Sequence, residues 1–136
     1  MEFEEFQRRG QQLLDTLRGL NAELDYNDSS IQWIDEYFDR NRDLFSEDGR
    51  YGIAIAIGFA LGETMIREIT GQWEFDPERE EWFVRLGDEL GQANPISKAF
   101  KHLNEPFESI YSMLRVTRMV VEQGGWDALQ QPPEDI

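Results

Sequence analysis

The stretch YGIAIAIGFALGETMIREIT, residues 51–70, is the most apolar part of the chain and decides the fold. Its apolar side chains recur every three or four residues, which predicts a helix over 51–70. These apolar side chains cover more of the helix surface than a single narrow stripe, so we expect this helix to lie at the centre of a folded domain. Gly71 follows it, at a position where helices commonly end on glycine. Within the helix, Gly58 and Gly62 are expected to let a neighbouring element approach closely.

Two helices are predicted before this stretch. The first helix is predicted over residues 2–24, where apolar side chains recur at alternating spacings of three and four residues. This seam consists of Phe3, Phe6, Leu13, Leu17, Leu20 and Leu24, and Gly10 takes one of its positions. It suits a dimerising coiled coil or a helix packed on its own domain, and its short length and lack of flanking charge pairs favour the second. Ser29 and Gln32 form a capping box that predicts the next helix, with an apolar side of Ile31, Ile34, Tyr37, Phe38 and Leu44 or Phe45. A turn is expected at 46–49.

After the apolar helix, the pattern changes to alternation. Residues 72–76 and 81–86 alternate apolar and polar side chains and predict two strands, joined by a hairpin at 77–80. The segment 87–92 is expected to be a loop or a further short strand.

Two more helices are predicted at the C-terminal end. Asn94 and Pro95 have the order of a cap and a first helical residue. A last helix is expected to begin at Pro106, to turn Phe107 inward, and to end near Gly124. The fold class is therefore α+β, with one domain over 1–130 and a disordered tail over 131–136.

Composition limits the classes of function. The 136 residues carry a formal net charge of −15 and no cysteine. A chain this acidic is a poor match for nucleic acid, which is bound by Lys and Arg. The lack of cysteine and of a signal-like N-terminus favours a cytoplasmic protein, and the uncharged part of the apolar helix is about half the length of a bilayer span. We therefore expect neither nucleic acid nor membrane as a partner.

The charge is distributed unevenly. Residues 1–50 contain thirteen acids and six bases, whereas 95–120 contain Lys98, Lys101, Arg115 and Arg118 against Glu105 and Glu108. An acidic first half of this kind can attract a basic protein partner over long range. Surface acidity of this kind is also common in proteins in which the charge only keeps the protein soluble.

Searches for known catalytic and metal motifs give no match. The stretch from Asp39 begins like a calcium loop, but Leu44 and Arg50 stand where that loop needs glycine and glutamate. Asp35, Asp39 and Asp43 share one helix face and are interpreted as a solvated surface rather than a metal site. There is no phosphate-binding glycine loop and no nucleophilic serine elbow. No cofactor is predicted.

Two isolated polar residues remain as candidates. Glu63 is the one charge set inside the apolar helix, and an ion pair with Arg67 one turn later is its expected role. His102 is the only histidine, which excludes a usual zinc site. It is expected at the surface near Lys98 and Lys101.

Two stretches together carry a resemblance to a known family. The chain has Gly58 and Gly62-Glu63, then Gly71-Gln-Trp73, and later Asn94-Pro95-Ile-Ser97-Lys98-Ala-Phe100-Lys101 followed by Ser109-Ile110-Tyr111. Over about residues 50–115 this resembles a family of small uncharacterised bacterial domains, some of which lie in toxin–immunity neighbourhoods. The resemblance implies no catalytic residue. It marks Gly62, Glu63, Trp73, Pro95, Lys98 and Lys101, and it raises the expectation that Glu63 reaches Lys98 or Lys101.

Three functions follow as expectations. The first is a non-enzymatic, immunity-like interaction protein that presents an acidic surface to a basic partner, with binding residues expected at Glu63, Trp73, Lys98, Lys101 and His102. The second is a small-ligand-binding protein or enzyme with a pocket between the central helix and the sheet, using Glu63, His102 and Tyr111. The third is a homo-oligomer built on the N-terminal seam. The oligomeric state is expected to be a monomer or a weak homodimer.

Overall fold

A computed structural model describes residues 1–88 and 90–130, and the predicted tail at 131–136 lies outside the described residues. The described residues form six α-helices, one short 3₁₀ helix and one three-stranded sheet, so the predicted α+β class is confirmed. In chain order they are α1 (Phe3–Leu17), α2 (Asp28–Arg40), the 3₁₀ helix (Arg42–Leu44), α3 (Glu47–Glu68), β1 (Gln72–Asp76), β2 (Glu81–Gly87), β3 (Gly91–Ala93), α4 (Pro95–Asn104), α5 (Ile110–Glu122) and α6 (Trp126–Gln130).

Helix α3 is the centre of the domain. Every residue from Ala54 to Gly62 is buried, because α1 covers one side and α4 another. The helix begins earlier than predicted: Ser46 accepts a hydrogen bond from the amide of Gly49 (3.3 Å), so 46–49 is a helix start and not a free turn. Among the described residues, no helix has the length and apolar character needed to cross a membrane.

Helix α1 packs on its own domain, as the seam analysis favoured. Phe6, Gly10 and Leu17 are buried, and the ring of Phe59 on α3 occupies the space that a side chain at Gly10 would need. The helix stops at Leu17, seven residues before the predicted end, and Leu20 of the predicted seam is 65% exposed.

Helix α2 begins at a different cap from the one predicted. The side chain of Asn27, not that of Ser29, accepts the amide of Ser30 at 3.0 Å. The helix ends at Arg40. Leu44 and Phe45 were the two alternatives for the last residue of its apolar side, and the structure packs Phe45 on Phe38 while Leu44 is exposed.

The sheet is antiparallel in the order β1-β2-β3. The predicted hairpin joins β1 to β2, with Trp73 paired to Val84 and Phe75 to Trp82. Within the segment left open between loop and strand, Gly91–Ala93 forms the short strand β3.

Helix α5 starts at Ile110, so the predicted start at Pro106 is wrong. Ser109 caps the helix by accepting the amide of Ser112 (3.0 Å), and the carboxylate of Asp35 accepts the amide of Tyr111 (2.9 Å). Phe107 therefore precedes the helix and is 97% exposed instead of facing the core. The predicted end holds, since α5 stops at Glu122.

Two glycines of α3 allow close packing, as expected. A side chain at Gly58 would lie 2.8 Å from the backbone Cα of Ile96 at the start of α4. A side chain at Gly62 would overlap the indole of Trp73. The first contact is with backbone, which cannot turn aside as a flexible side chain can.

We expect Gly58→Ala to destabilise the fold by about 1–3 kcal/mol, because the added methyl group overpacks the α3–α4 contact. Gly52→Ala is the matched control on the same helix, since nothing lies within 4 Å of its added methyl group. Alanine is the better helix former, so the control should gain up to about 1 kcal/mol. Urea unfolding of both variants measures the difference, and equal effects would contradict the close contact at Gly58.

Candidate functional site

The residues predicted as binding candidates lie in three parts of the fold. Glu63 is on α3, Trp73 is in β1, and Lys98, Lys101 and His102 share α4. The structure does not gather them into one site, so each is described by what its side chain contacts.

Glu63 forms the ion pair expected within its own helix. Its Oε2 lies 3.5 Å from Nε of Arg67. The expected link from Glu63 to Lys98 or Lys101 is not formed among the described residues. Glu63 pairs with Arg67, and the ammonium of Lys98 bonds instead to the carboxylate of Glu108. That hydrogen bond lowers the pKa of the Glu108 carboxyl and keeps the pair ionised.

The pair at Glu63 supports a buried tyrosine. The guanidinium of Arg67 lies 4.6 Å from the ring centre of Tyr26, and the Tyr26 hydroxyl donates to Gln11 at 3.1 Å. Burial raises the pKa of the Tyr26 hydroxyl to about 12, against the opposing effect of Arg67. Glu63 therefore holds a cation over an aromatic ring, and its observed contacts are structural.

Trp73 belongs to the aromatic core. Its ring stacks on Phe59 (centroids 5.6 Å apart, 10° between planes) and meets Phe6 edge to face at 4.9 Å. Its indole nitrogen is buried without a hydrogen-bond partner among the described residues.

His102 is buried, with 1% of its surface exposed, and the expected surface position is wrong. Its Nδ1 faces the backbone carbonyl of Glu108, and its Nε2 lies 3.1 Å from the backbone carbonyl of Asp35. A neutral imidazole has one N–H, so it donates to one of these two carbonyls at a time. His102 thus ties α4 to α2 and to the segment before α5.

Asp35 completes this contact and was interpreted from the sequence only as part of a solvated acidic face. Its carboxylate accepts the hydroxyl of Ser109 at 2.7 Å and the amide of Tyr111 at 2.9 Å. A carboxylate at a helix N-terminus is favourable because the helix dipole is positive there. Ser109 and Tyr111 lie 74 and 76 residues after Asp35 in the chain, so no local sequence signal could have revealed these hydrogen bonds.

The proximity of Asp35, His102 and Ser109 does not produce a hydrolytic site. A serine nucleophile needs a base that accepts its proton, and the base needs a free ring nitrogen. Here Ser109 donates directly to Asp35, and both nitrogens of His102 face carbonyl oxygens. The expected pocket of Glu63, His102 and Tyr111 is not formed either, because Glu63 and His102 have the separate partners given above.

A cavity of about 310 Å³ is lined by Lys98 of α4 together with residues of the sheet, α5 and α6. It opens between the sheet and the last two helices, and not between α3 and the sheet as predicted. Its lining residues are Leu86, Gln92, Ala93, Lys98, Ser112, Met113, Val116, Thr117 and Trp126. Of the predicted binding residues, Lys98 lines this cavity.

A group of exposed apolar side chains lies where the 3₁₀ helix, the start of α3 and the end of α4 meet. We call it the corner patch, and it consists of Leu44, Tyr51, Phe100 and Phe107. Tyr51 and Phe100 touch edge to face, with ring centroids 6.2 Å apart. Phe107 was predicted to face inward and Leu44 was one of two alternatives for the apolar side of α2, because the exposure of an apolar side chain depends on the tertiary fold.

Two hydrogen-bonded contacts hold the three segments of the corner patch together. Arg42 donates to the backbone carbonyls of His102 (2.8 Å) and Glu105 (3.2 Å), which joins the 3₁₀ helix to the end of α4. Arg50 donates to the side chain of Asn104 at 2.9 Å, which joins the start of α3 to the same place. Leu44 and Phe107 are each two residues from a joined residue, so their Cα atoms lie within about 7 Å of it.

Comparison with known proteins does not assign a family. No protein-family model matches the chain, and no curated protein or solved structure is significantly similar to it. Among the residues described, no group of three or more His, Asp or Glu side chains is arranged to hold a metal ion.

We expect His102→Leu to destabilise the protein by about 2–4 kcal/mol, because the buried imidazole loses its hydrogen bonding to the backbone of α2 and of the segment before α5. Lys101→Met, an exposed position on the same helix, is the control and should change stability by less than about 0.5 kcal/mol. Chemical denaturation compares the two variants. A loss as small as that of the control would show that the carbonyl contacts contribute nothing.

A second prediction concerns Tyr26 at high pH. The hydroxyl has an ordinary pKa of 10.0 and a folded value of about 12, so the fold favours its neutral form. This contribution is complete below the ordinary value and is lost as the pH rises through the folded value. Tyr26→Phe should therefore lose less stability than the parent between about pH 9 and pH 11.5. Equal losses in the two proteins, measured by urea unfolding at each pH, would contradict the assignment.

Proposed function

We propose that this protein is a non-enzymatic interaction module that binds a basic protein through the corner patch and its acidic surroundings. The observation that supports the proposal most directly is the group of exposed apolar side chains bordered by unpaired carboxylates.

The apolar side chains of the corner patch have the character of binding anchors. Phe107 is 97% exposed, Leu44 77% and Tyr51 50%. Single exposed apolar residues are normal, but several on adjoining segments are typical of interaction sites. Aromatic residues supply much of the binding energy in protein interfaces, because they bury a large area at a low cost in side-chain entropy.

Carboxylates border these anchors. Asp43 lies beside Leu44, Glu47 and Asp48 lie one helical turn before Tyr51, and Glu105 precedes Phe107 by two residues. All four are exposed, and none forms an ion pair with another described residue. A residue and the ones three or four positions later share a helix face, so Glu47 and Asp48 flank the Tyr51 ring.

The arginines at the corner are largely occupied by contacts within the protein. Arg42 donates to Asp39 and to the end of α4, and Arg50 donates to Asn104. Arg40 and Lys101 are exposed nearby and reduce the negative charge only in part. The corner therefore attracts a positively charged surface, and electrostatic attraction of this kind accelerates association.

The same charge argues against a second copy as the occupant of the corner patch. Two chains that each carry a formal charge of −15 repel one another, and their acidic borders would meet at the interface. A basic partner gains from the same charges. Within this class, inhibition of a toxin-like partner is the sharper form of the proposal, and it is supported by the sequence resemblance described above.

A cross-linking experiment tests this function. A photoreactive amino acid placed at Leu44 should capture a basic protein from native lysate, and capture should weaken between about 50 mM and 500 mM salt. The variant Tyr51→Ser/Phe100→Ser should reduce recovery at least about tenfold, because the central anchors are lost. Val116→Ser/Met119→Ser, which removes exposed apolar area on α5, is the control and should recover the same protein.

The kinetics of the captured partner provide the second half of the test. Asp43→Asn/Glu47→Gln/Asp48→Asn should slow association more than Glu4→Gln/Glu23→Gln/Glu78→Gln, although both variants lose the same formal charge. The proposal is abandoned if no protein depends on the corner patch, if the partner is acidic, or if the two charge variants bind alike.

A further inference from the structure

The cavity between the sheet and α5 has no place in the interaction function. Its volume of about 310 Å³ lies at the lower end of the range found for ligand pockets. Leu86 and Ala93 from the sheet, Met113 and Val116 from α5, and Trp126 from α6 supply apolar walls. None of its lining residues belongs to the corner patch.

The wall formed by Trp126 is held in place by the backbone of β3. Gly91 has a φ of +102°, and a side chain there would lie 2.7 Å from Cδ1 of Trp126. The indole therefore packs directly on the strand. Ala93, two residues along the same strand, lines the cavity with a methyl group.

Among the polar groups on the walls, the ammonium of Lys98 can only donate hydrogen bonds, whereas the side chains of Gln92, Ser112 and Thr117 can donate or accept them. Lys98 has three N–H groups, and the carboxylate of Glu108 receives one of them. The hydroxyls of Ser112 and Thr117 line the same space, and Thr117 is 4% exposed. These groups suit a ligand that ends in an acceptor with negative charge.

We propose that this cavity binds a small amphipathic carboxylic acid, with its apolar body between Leu86, Met113 and Trp126 and its carboxylate at Lys98. The carboxylate accepts hydrogen bonds from the ammonium of Lys98 and from Thr117 or Ser112. A neutral alcohol of the same length contacts the same apolar walls but binds more weakly. Its hydrogen bonds to Lys98 lack the carboxylate charge, and charge-assisted hydrogen bonds are about twice as strong as neutral ones.

The volume limits the size of the acid. At roughly 30 Å³ for a group of the size of water, the cavity holds about ten such groups. An unbranched acid of about eight carbons or a compact aromatic acid meets this limit. The continuing groove along Ser112, Arg115, Val116 and Met119 leaves an exit on the outer face of α5.

Calorimetric titration with octanoate, and with 1-octanol as the uncharged comparison, tests the site. Octanoate should bind one site per chain, and 1-octanol should bind at least about tenfold more weakly. Val116→Trp, which fills the cavity from its rim, should abolish octanoate binding. Circular dichroism and thermal unfolding show whether each variant is folded.

A second pair of variants tests whether octanoate binding needs the positive charge of Lys98. Lys98→Met/Glu108→Gln removes the ammonium without leaving a lone carboxylate and should weaken octanoate at least about tenfold, while leaving 1-octanol unchanged. Lys101→Met removes an exposed lysine outside the cavity and should bind octanoate like the parent. This pair decides the question if Val116→Trp does not fold.

Three results overturn the inference: no octanoate binding at millimolar concentration, equal binding of octanoate and 1-octanol, or octanoate binding that survives both the filled cavity and the Lys98 variant. The corner patch contributes no residue to this site. Failure here therefore leaves the proposed partner binding untouched, and the loss of that partner in the cross-linking experiment leaves octanoate binding untouched.

Discussion

Helix α3 has no polar side along its middle, and this constraint determines the arrangement of everything else. From Ala54 to Gly62 every position is buried, so the helix has to be covered on all sides. Helix α1, helix α4 and the indole of Trp73 supply that cover. The helix reaches solvent only toward its two ends, and the exposed features follow from this. Its start carries Tyr51 of the corner patch, and its end carries the Glu63–Arg67 pair beside Tyr26.

Local sequence signals predicted the elements whose stability is local. The apolar period of α3, the hairpin between β1 and β2, and the proline at the start of α4 all depend on neighbours in the chain. Some of the failures occurred where a distant residue decides, and others where local caps compete. Helix α5 begins at Ile110 because Asp35 and Ser109 satisfy its first amides, and Asp35 comes from α2. In α2 two plausible caps compete, and the backbone placed Asn27 in the capping geometry.

The candidate residues show the same division. The ion pair of Glu63 with Arg67 was predictable, because both lie on one helix face one turn apart. The burial of His102 was not, since the residues around it include exposed Lys101 and Asn104. Its two carbonyl partners come from α2 and from the segment before α5. Exposure of Phe107 could not be read from its chemistry, which is that of a core residue. Such positions are decided by how helices pack, and a single sequence carries little information on that.

The glycine- and isoleucine-rich middle of α3 has a different meaning before folding is complete. From Ile53 to Leu61 it contains no charge and no proline, and several of its residues are β-branched. In an unfolded chain such a segment favours intermolecular strand pairing and aggregation. Arg50 and Glu63 stand close to its two ends, where charged residues discourage that pairing. The formal charge of −15 keeps unfolded chains apart at neutral pH. This repulsion disappears as the pH falls to the isoelectric point of about 4.3. The acidity that attracts a partner to the folded protein thus also protects the chain while its central helix is uncovered.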